Sequence, residues 1–384
     1  MFEITAENAA DYLRERGLIE ADEQVIVRQL TGGISNEVLL VERADVMPAV
    51  SSPAADDRGL AGDFVIKQAR PQLRTPQPWF SSVERNWREA AVQRLCANLA
   101  PGHVPRVLFE DRENYLFAMS AVPAGHRVWR EELLAGRIDP ALGAQCGRLL
   151  AALHVGTWHD AQVAVELGDR TLFYELRVAP YYETVARDVP EARDWLRRLI
   201  ESLAAPARSL VHADFSPKNL LLVDSNLTLV DYETGHYGDP AFDLGFFLAH
   251  LVLKTFYHAT SSTDGAGRLS SPAVRMLTLI QQFWGGYLPV IVERIGLHQS
   301  QELSYRGLQH LAGCLWARLD GTSRIDYLTE IPVRELVRQL CREIFRQGPT
   351  AWSEVESRIR DALCIASPPI ANAAQRREGF GNRS

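Results

Sequence analysis

Residues 211–233, VHADFSPKNLLLVDSNLTLVDYE, constrain this chain more than any other segment. Leu220–Val223 and residues 227–230 are short apolar runs, and Asp224-Ser225-Asn226 between them is turn chemistry. The spacing predicts a tight β-hairpin. A hairpin returns its two ends to one place, so Asn219 and Asp231 are expected side by side, with Asp214 one loop upstream. Three oxygen-bearing side chains at one end of a rigid hairpin suit a Mg²⁺-nucleotide and a hydroxyl to be activated.

Composition removes several partners. The chain has 384 residues, enough to bury a sizeable core in one large domain or two lobes. Its formal net charge of −7 argues against a general polyanion-binding surface, and so against nucleic acid. Cys96, Cys146, Cys314, Cys341 and Cys364 are scattered, with no CxxC pair. They read as reduced, mostly buried thiols in a cytoplasmic protein. The N-terminus has no apolar run of signal-peptide length, and residues 244–253 contain His250 and are too short to span a bilayer. No membrane partner is expected. The chain reads as a monomer or a homodimer.

Of 41 basic residues, only Lys67, Lys218 and Lys254 are lysine. Arginine bias explains the surface, but two of the three lysines fall inside candidate active-site motifs. Lysine is a compact point charge and arginine a planar fork, a difference that a phosphate cluster can feel. Lys254 reads as a solvated helix end.

Along the chain, residues 5–16 predict a short helix with Thr5 as N-cap. Residues 24–30, 36–41, 64–68, 107–109 and 115–119 read as strands, and residues 83–99 as a helix with apolar residues at i, i+4 spacing. Residues 47–62 and 260–271 are loop-like, and residues 71–78 are broken by three prolines. This is a small antiparallel sheet backed by a helix. Beyond Val122 the pattern turns helical, with candidates at 242–256, 273–295, 303–319 and 332–346. Gly296 is placed to cap the second of these. Residues 367–384 read as a frayed tail.

Several further motifs carry chemistry. Gly32 and Gly33, with Ser35 and Asn36, form a loop that lets backbone N–H groups approach phosphate oxygens. Lys67 sits inside an apolar strand and needs an acid or phosphate partner, for which Glu89 is the best candidate. Asp214 is the candidate base. Asn219 supplies a neutral oxygen for Mg²⁺ and Asp231 an anionic one. Glu233 lies two residues on, and in an extended segment it shares a face with Asp231 as a second acidic ligand. His212 reads as structural. Asp243 reads as a helix-start residue that holds the catalytic loop through backbone amides.

The pattern His212-x-Asp214-x4-Asn219, Asp231-x-Glu233 and Gly238-Asp239-Pro240-x2-Asp243 resembles the aminoglycoside phosphotransferase/choline kinase family. Lys67, Glu89 and the Gly32-Gly33-x-Ser35-Asn36 loop agree with it. The resemblance implies an α+β, bilobal, protein-kinase-like fold, with an N-lobe antiparallel sheet plus helix and a mostly helical C-lobe. The expected boundaries are 1–122 for a nucleotide-binding lobe, 123–366 for a catalytic and substrate-binding lobe, and 367–384 for the tail. It implies ATP and Mg²⁺ as cofactors, adenine against a hinge at Met119, Ser120 and Val122, and a small-molecule hydroxyl as acceptor. Lys218 is then a catalytic candidate beside Asp214. Residues 64–80 are similar to 5-methylthioribose kinases, although this chain has a single Arg in its late Trp316-Ala317-Arg318-Leu319-Asp320 segment. Arg318 and Asp320 are its substrate-binding candidates. Two alternatives accompany this reading: an aminoglycoside-modifying phosphotransferase, using Glu302, Asp320, Asp326 and Glu330 against a polycation, and a non-catalytic nucleotide-binding module.

Overall fold

Side-chain alternation in one strand organises the N-terminal half. The computed structural model describes residues 2–30, 36–43, 62–72, 82–204, 207–261 and 270–366. Strands β1 (Val25–Gln29), β2 (Asn36–Arg43), β3 (Phe64–Ala69), β4 (Val107–Asp111) and β5 (Leu116–Ser120) form an antiparallel sheet in the order β1-β2-β3-β5-β4. Phe64 and Ile66 join a core with Leu39, Leu116, Tyr12 and Leu13, the last two from the Ala9–Glu15 helix. Period-two alternation sends Lys67 to the opposite face, where the Arg85–Leu99 helix brings Glu89. The predicted cap at Thr5 does not form. Its backbone N–H instead donates to Asn8 Oδ1 at 2.8 Å, and the helix begins at Ala9 without a side-chain cap.

The rest is mostly helical, with small sheets inserted. β6 (Arg127–Val128) pairs with β8 (Leu220–Val223), which pairs with β9 (Asn226–Leu229), while β7 (Ser209–Val211) pairs with β10 (His236–Gly238). The architecture is α+β: an antiparallel sheet with its helix in the N-terminal part, followed by a mostly helical remainder. The predicted hairpin forms with a tighter turn than the sequence suggested. Val223 pairs with Asn226, so only Asp224 and Ser225 make the turn, and Asp224 is left-handed at φ 50°.

Long helices run over Ala141–Gly156, Ala241–Ser261, Ser271–Ile295, Leu297–Asp320 and Ile331–Gln347. Gly296, at φ 79°, caps the third of these, and its N–H donates to Val292 O at 2.9 Å. The Ala241–Ser261 helix is mostly apolar and buried at nearly every position, which puts it at the centre of the core. Lys254 therefore sits inside this helix and is 1% exposed. The reading of Lys254 as a solvated helix end is overturned, because the helix continues one turn past the predicted stop at residue 256. None of the described helices is long and apolar enough to cross a membrane. Cys96, Cys146, Cys314 and Cys341 are free and buried.

Gly143 and Gly147 bring the Ala141–Gly156 helix against the Ser271–Ile295 helix, backbone to backbone. A Cβ at Gly147 would fall well inside contact distance of Phe283 O, and one at Gly286 would do the same against Ala144 O. Gly147→Ala is therefore expected to destabilise by about 2–3 kcal/mol or more through overpacking of backbone that cannot step aside. A thermal melt checks this; an unchanged midpoint would show that the helices can separate freely.

Candidate active site

The hairpin positions the chemistry. Val230 N–H donates to Asn219 O at 2.9 Å, which extends the β8–β9 ladder and leaves Asp231 next in line beside the hairpin root. Asp231 has φ 71°, in the left-handed region that a non-glycine residue adopts at a cost. The extended segment expected from Asp231 to Glu233 is thus broken at its first residue, and the face-sharing argument for Glu233 fails with it. Glu233 is half-buried, and its charge bears on Lys67, Glu89 and Arg85.

Lys67 joins the two halves of the molecule. Its Nζ contacts Glu89 Oε1 and lies 3.1 Å from Asp231 Oδ1. Burial opposes the ammonium, but the two carboxylates hold the Lys67 pKa above its ordinary value. Burial pushes Glu89 up to about 7 against the pull of Lys67. Burial also opposes the Asp231 carboxylate, yet Lys67 and Lys218 leave its pKa well below the usual range.

Asp214 is 4% exposed and meets three donors. Arg177 Nη2 is 3.0 Å from Oδ1, Lys218 Nζ is 2.8 Å from Oδ2, and Asn219 Nδ2 donates to Oδ2 at 2.8 Å. Burial works against the carboxylate here too, and Arg177 and Lys218 together bring its pKa below the usual range. Asp214 is therefore ionised at neutral pH and able to accept a proton. Asn219 Nδ2 also donates to Asp214 O at 3.0 Å. With its amide protons turned to Asp214, the Asn219 carbonyl oxygen is the group left for a cation.

The loop before Asp214 is tied from beneath. Asp243 accepts from His212 N and Ala213 N at 2.8 Å each. Ala213 is left-handed at φ 61°, and these bonds hold it there. Asp243 also lies 3.3 Å from His154 Nε2. His212 Nδ1 accepts from Asp214 N at 3.2 Å, and its ring packs on Tyr232. Burial lowers the His212 pKa, which keeps the ring neutral.

The remaining candidates are spread more widely. Gly32, Gly33 and Ser35 lie outside the described residues. Asn36 is buried at the start of β2, and its Oδ1 has no hydrogen-bond partner among the described residues. Met119 and Ser120 end β5; Ser120 N–H donates to Arg106 O and Ala121 N–H to Asp63 O, with Val122 following. Asp320 forms a two-pronged ion pair with Arg338 at 2.8 Å per bond. Of the acids proposed for a polycation, Asp326 pairs with Arg130, Glu302 lies near Arg306, and Glu330 precedes the Ile331–Gln347 helix. Arg318 donates to Tyr181 OH and to Ser323.

Sequence reasoning missed Arg177. It lies in the π-helical segment Tyr174–Glu183, where Pro180 lacks an N–H and the turn is widened. Arg177 Nε also donates to Ala213 O at 2.7 Å, so one guanidinium fixes both the loop backbone and the Asp214 carboxylate. A single Arg among so many carries no sequence signal. The proline inside a helical run was the available hint, since such irregularities gather at functional sites.

Among the described residues, no three His, Cys, Asp or Glu side chains form a metal cage. The oxygens present are the Asn219 amide and the Asp231 carboxylate beside the ammonium of Lys67, with the half-buried Glu233 near enough for its charge to bear on that ammonium. That set fits Mg²⁺ carried by a nucleotide, because Mg²⁺ keeps several waters and takes one or two protein oxygens together with phosphates.

Comparison with known proteins gives the family of the chain. The methylthioribose kinase of Pectobacterium atrosepticum is 26% identical over 280 residues, a stretch covering 65% of this chain and 66% of that protein. Methylthioribose kinase 2 of Oryza sativa is 26% identical over 267 residues, covering 62% of each chain. The match thus spans just under two thirds of the length of these relatives. A choline/ethanolamine kinase family protein from Mesorhizobium loti superimposes with TM-score 0.46 and 16% identity, covering 94% of this chain and 96% of that one. The sequence model of the phosphotransferase enzyme family matches residues 26–268, more than half of the chain and all of the hairpin site. The chain belongs to the phosphotransferase enzyme family.

Proposed function

We propose that this protein transfers the γ-phosphoryl group of ATP to a hydroxyl of a small molecule. The observation that carries the reading is the Lys67 bridge. One buried ammonium ties Glu89 to Asp231, next to a carboxylate and an amide already joined to each other. Lys67, steadied by Glu89, is the residue to meet the nucleotide phosphates, as in kinases. Asn219 and Asp231 are the residues to hold Mg²⁺. When bound, Mg²⁺ neutralises charge on the phosphates. Asp214 orients the acceptor hydroxyl and takes its proton at a carboxylate oxygen. Arg177 fixes the rotamer of Asp214, and Lys218, half-exposed beside it, offers positive charge toward the transferring group. The completeness of this set supports an enzyme over a non-catalytic module.

A screen of γ-labelled ATP against methylthioribose, other sugars, choline, homoserine and aminoglycosides tests the reaction. Transfer to at least one hydroxyl is expected, and none at all would refute it. Calorimetry tests the metal assignment separately. Wild type is expected to bind ATP more tightly with Mg²⁺ than without, and Asp231→Ala to lose most of that difference. A Mg²⁺ effect of equal size in the variant would exclude Asp231 as a metal residue.

A further inference from the structure

The sides of the Ala241–Ser261 helix that face the site carry a feature phosphoryl transfer alone does not require. Phe246, His250 and Lys254 recur at intervals of four, so they share one face. At the near end, Arg177 lies over the Phe246 ring at 5.5 Å while contacting Asp214. His250 packs edge-on against Phe246 at 5.0 Å. Lys254 Nζ donates to His250 O at 3.2 Å, one turn back toward the site, and lies 5.3 Å from the centre of the Tyr327 ring. The stripe thus reaches from the Asp214 region to Lys254, whose Cα lies about 12 Å beyond that of Phe246 along the helix axis at 1.5 Å per residue.

That ammonium and its neighbours are short of partners. Lys254 is 1% exposed and His250 9%. Among the described residues neither Lys254 nor Arg318 forms an ion pair, whereas buried Lys67 has two acids and Arg177 has one. His250 Nε2, Arg318 Nε and Tyr327 OH are buried and have no hydrogen-bond partner among the described residues. The nearby acids do not fill the need. Glu131 and Asp326 are both exposed and both paired with Arg130. Burial, with Arg130 and Arg318 adding to it, brings the Lys254 pKa down to about 7, which is the response of a buried cation without a counter-charge.

We propose that Lys254 and Arg318, with Tyr327, bind an anionic group of the acceptor, so that the substrate is a hydroxyl compound bearing a carboxylate or a phosphate ester. The inference rests on the phosphoryl-transfer reading for the role of Asp214. The hydroxyl lies at Asp214 and the anion at Lys254, separated by a short carbon chain along the Phe246–His250 face. Such an acceptor supplies the missing counter-charge and an acceptor atom for Arg318. It is the opposite of the polycation that an aminoglycoside-type site takes.

Titration calorimetry with gluconate against glucose, and with glycerol 3-phosphate against glycerol, tests this without turnover. Wild type is expected to bind at least one anion about tenfold or more tighter than its neutral counterpart, with a loss of about tenfold in Lys254→Met. Which anion binds decides between carboxylate and phosphate ester. Should Lys254→Met fail to fold, Arg318→Gln gives the same reading. Binding near pH 7 is also expected to take up a proton, seen as a heat that varies with buffer ionisation enthalpy, because the anion raises the Lys254 pKa. His250, His258, Tyr327, Arg130, Arg318, Glu131 and Asp326 are the titratable and charged groups that face that ammonium. No preference for either anion in wild type, or full binding in the folded variant, would overturn the proposal. A chain that binds an anion but transfers to no hydroxyl would fail as a kinase only. One that phosphorylates neutral methylthioribose with KM unchanged by Lys254→Met would fail as an anion binder only.

Discussion

Asp214→Asn is expected to lower kcat by about three orders of magnitude and to leave the affinity for Mg²⁺-ATP within about threefold. The side chain keeps its size, so packing around the loop is retained. What changes is the ability to take a proton. Asp214 is held ionised by Arg177 and Lys218, and Asn219 donates to the same oxygen as Lys218. An amide at this place offers one oxygen to three donors and turns its own NH2 toward one of them. The variant therefore loses the base and gains one donor–donor contact, which costs about 1–3 kcal/mol of local stability. Steady-state kinetics with a thermal melt separates the two effects. In the proposed function the nucleotide meets Lys67, which pairs with Glu89 and Asp231, so its affinity is read independently. Near-normal turnover in a folded Asp214→Asn protein would remove Asp214 from the role of base.

The second large effect belongs to a residue that touches no substrate. Asp243→Ala is expected to destabilise by about 3–5 kcal/mol and to lower Tm by about 5–10 °C. Asp243 is completely buried and accepts two backbone N–H groups at 2.8 Å. Alanine leaves both amides unsatisfied in an apolar surround, and His154 loses its neighbour as well. Ala213 then has nothing to hold its left-handed backbone, apart from the Arg177 bond to its carbonyl. Asp214 follows Ala213 directly, so kcat is expected to fall more than KM rises. Asp243→Asn keeps one accepting oxygen and is expected to fall between wild type and alanine. Calorimetric melting and steady-state kinetics check both variants, and a midpoint within about 1 °C of wild type in Asp243→Ala would show that the loop is held by other bonds.

Much of the sheet and the hairpin could be read from the sequence because the signals are local. The compact apolar run at Phe64–Ile66 and turn residues at 224–225 each act within a few positions. The meeting of Lys67 with Glu89 followed from an energetic rule, since a buried lysine must find an acid. The same rule, applied to Lys254, would have flagged it had the helix been read at its full length. The pattern was instead stopped at residue 256, and a lysine near a helix end looks solvated. Arg177 depends on a contact across 37 residues to Asp214, and Asp320 is captured by Arg338 from the next helix. Neither pairing leaves a periodic trace. Asp231 misled in another way. Its left-handed backbone is set by the hairpin exit, and a spacing rule for extended chain does not see it.

The glycine seam between the Ala141–Gly156 and Ser271–Ile295 helices has a mechanical consequence. Where side chains separate two helices, the layer can be compressed, or one helix can slide by a fraction of a turn. Here main chain rests on main chain at Gly143, Gly147 and Gly286, so nothing between the two can yield. The pair behaves as a single strut. Displacement needed to admit a substrate therefore falls elsewhere than between these two helices.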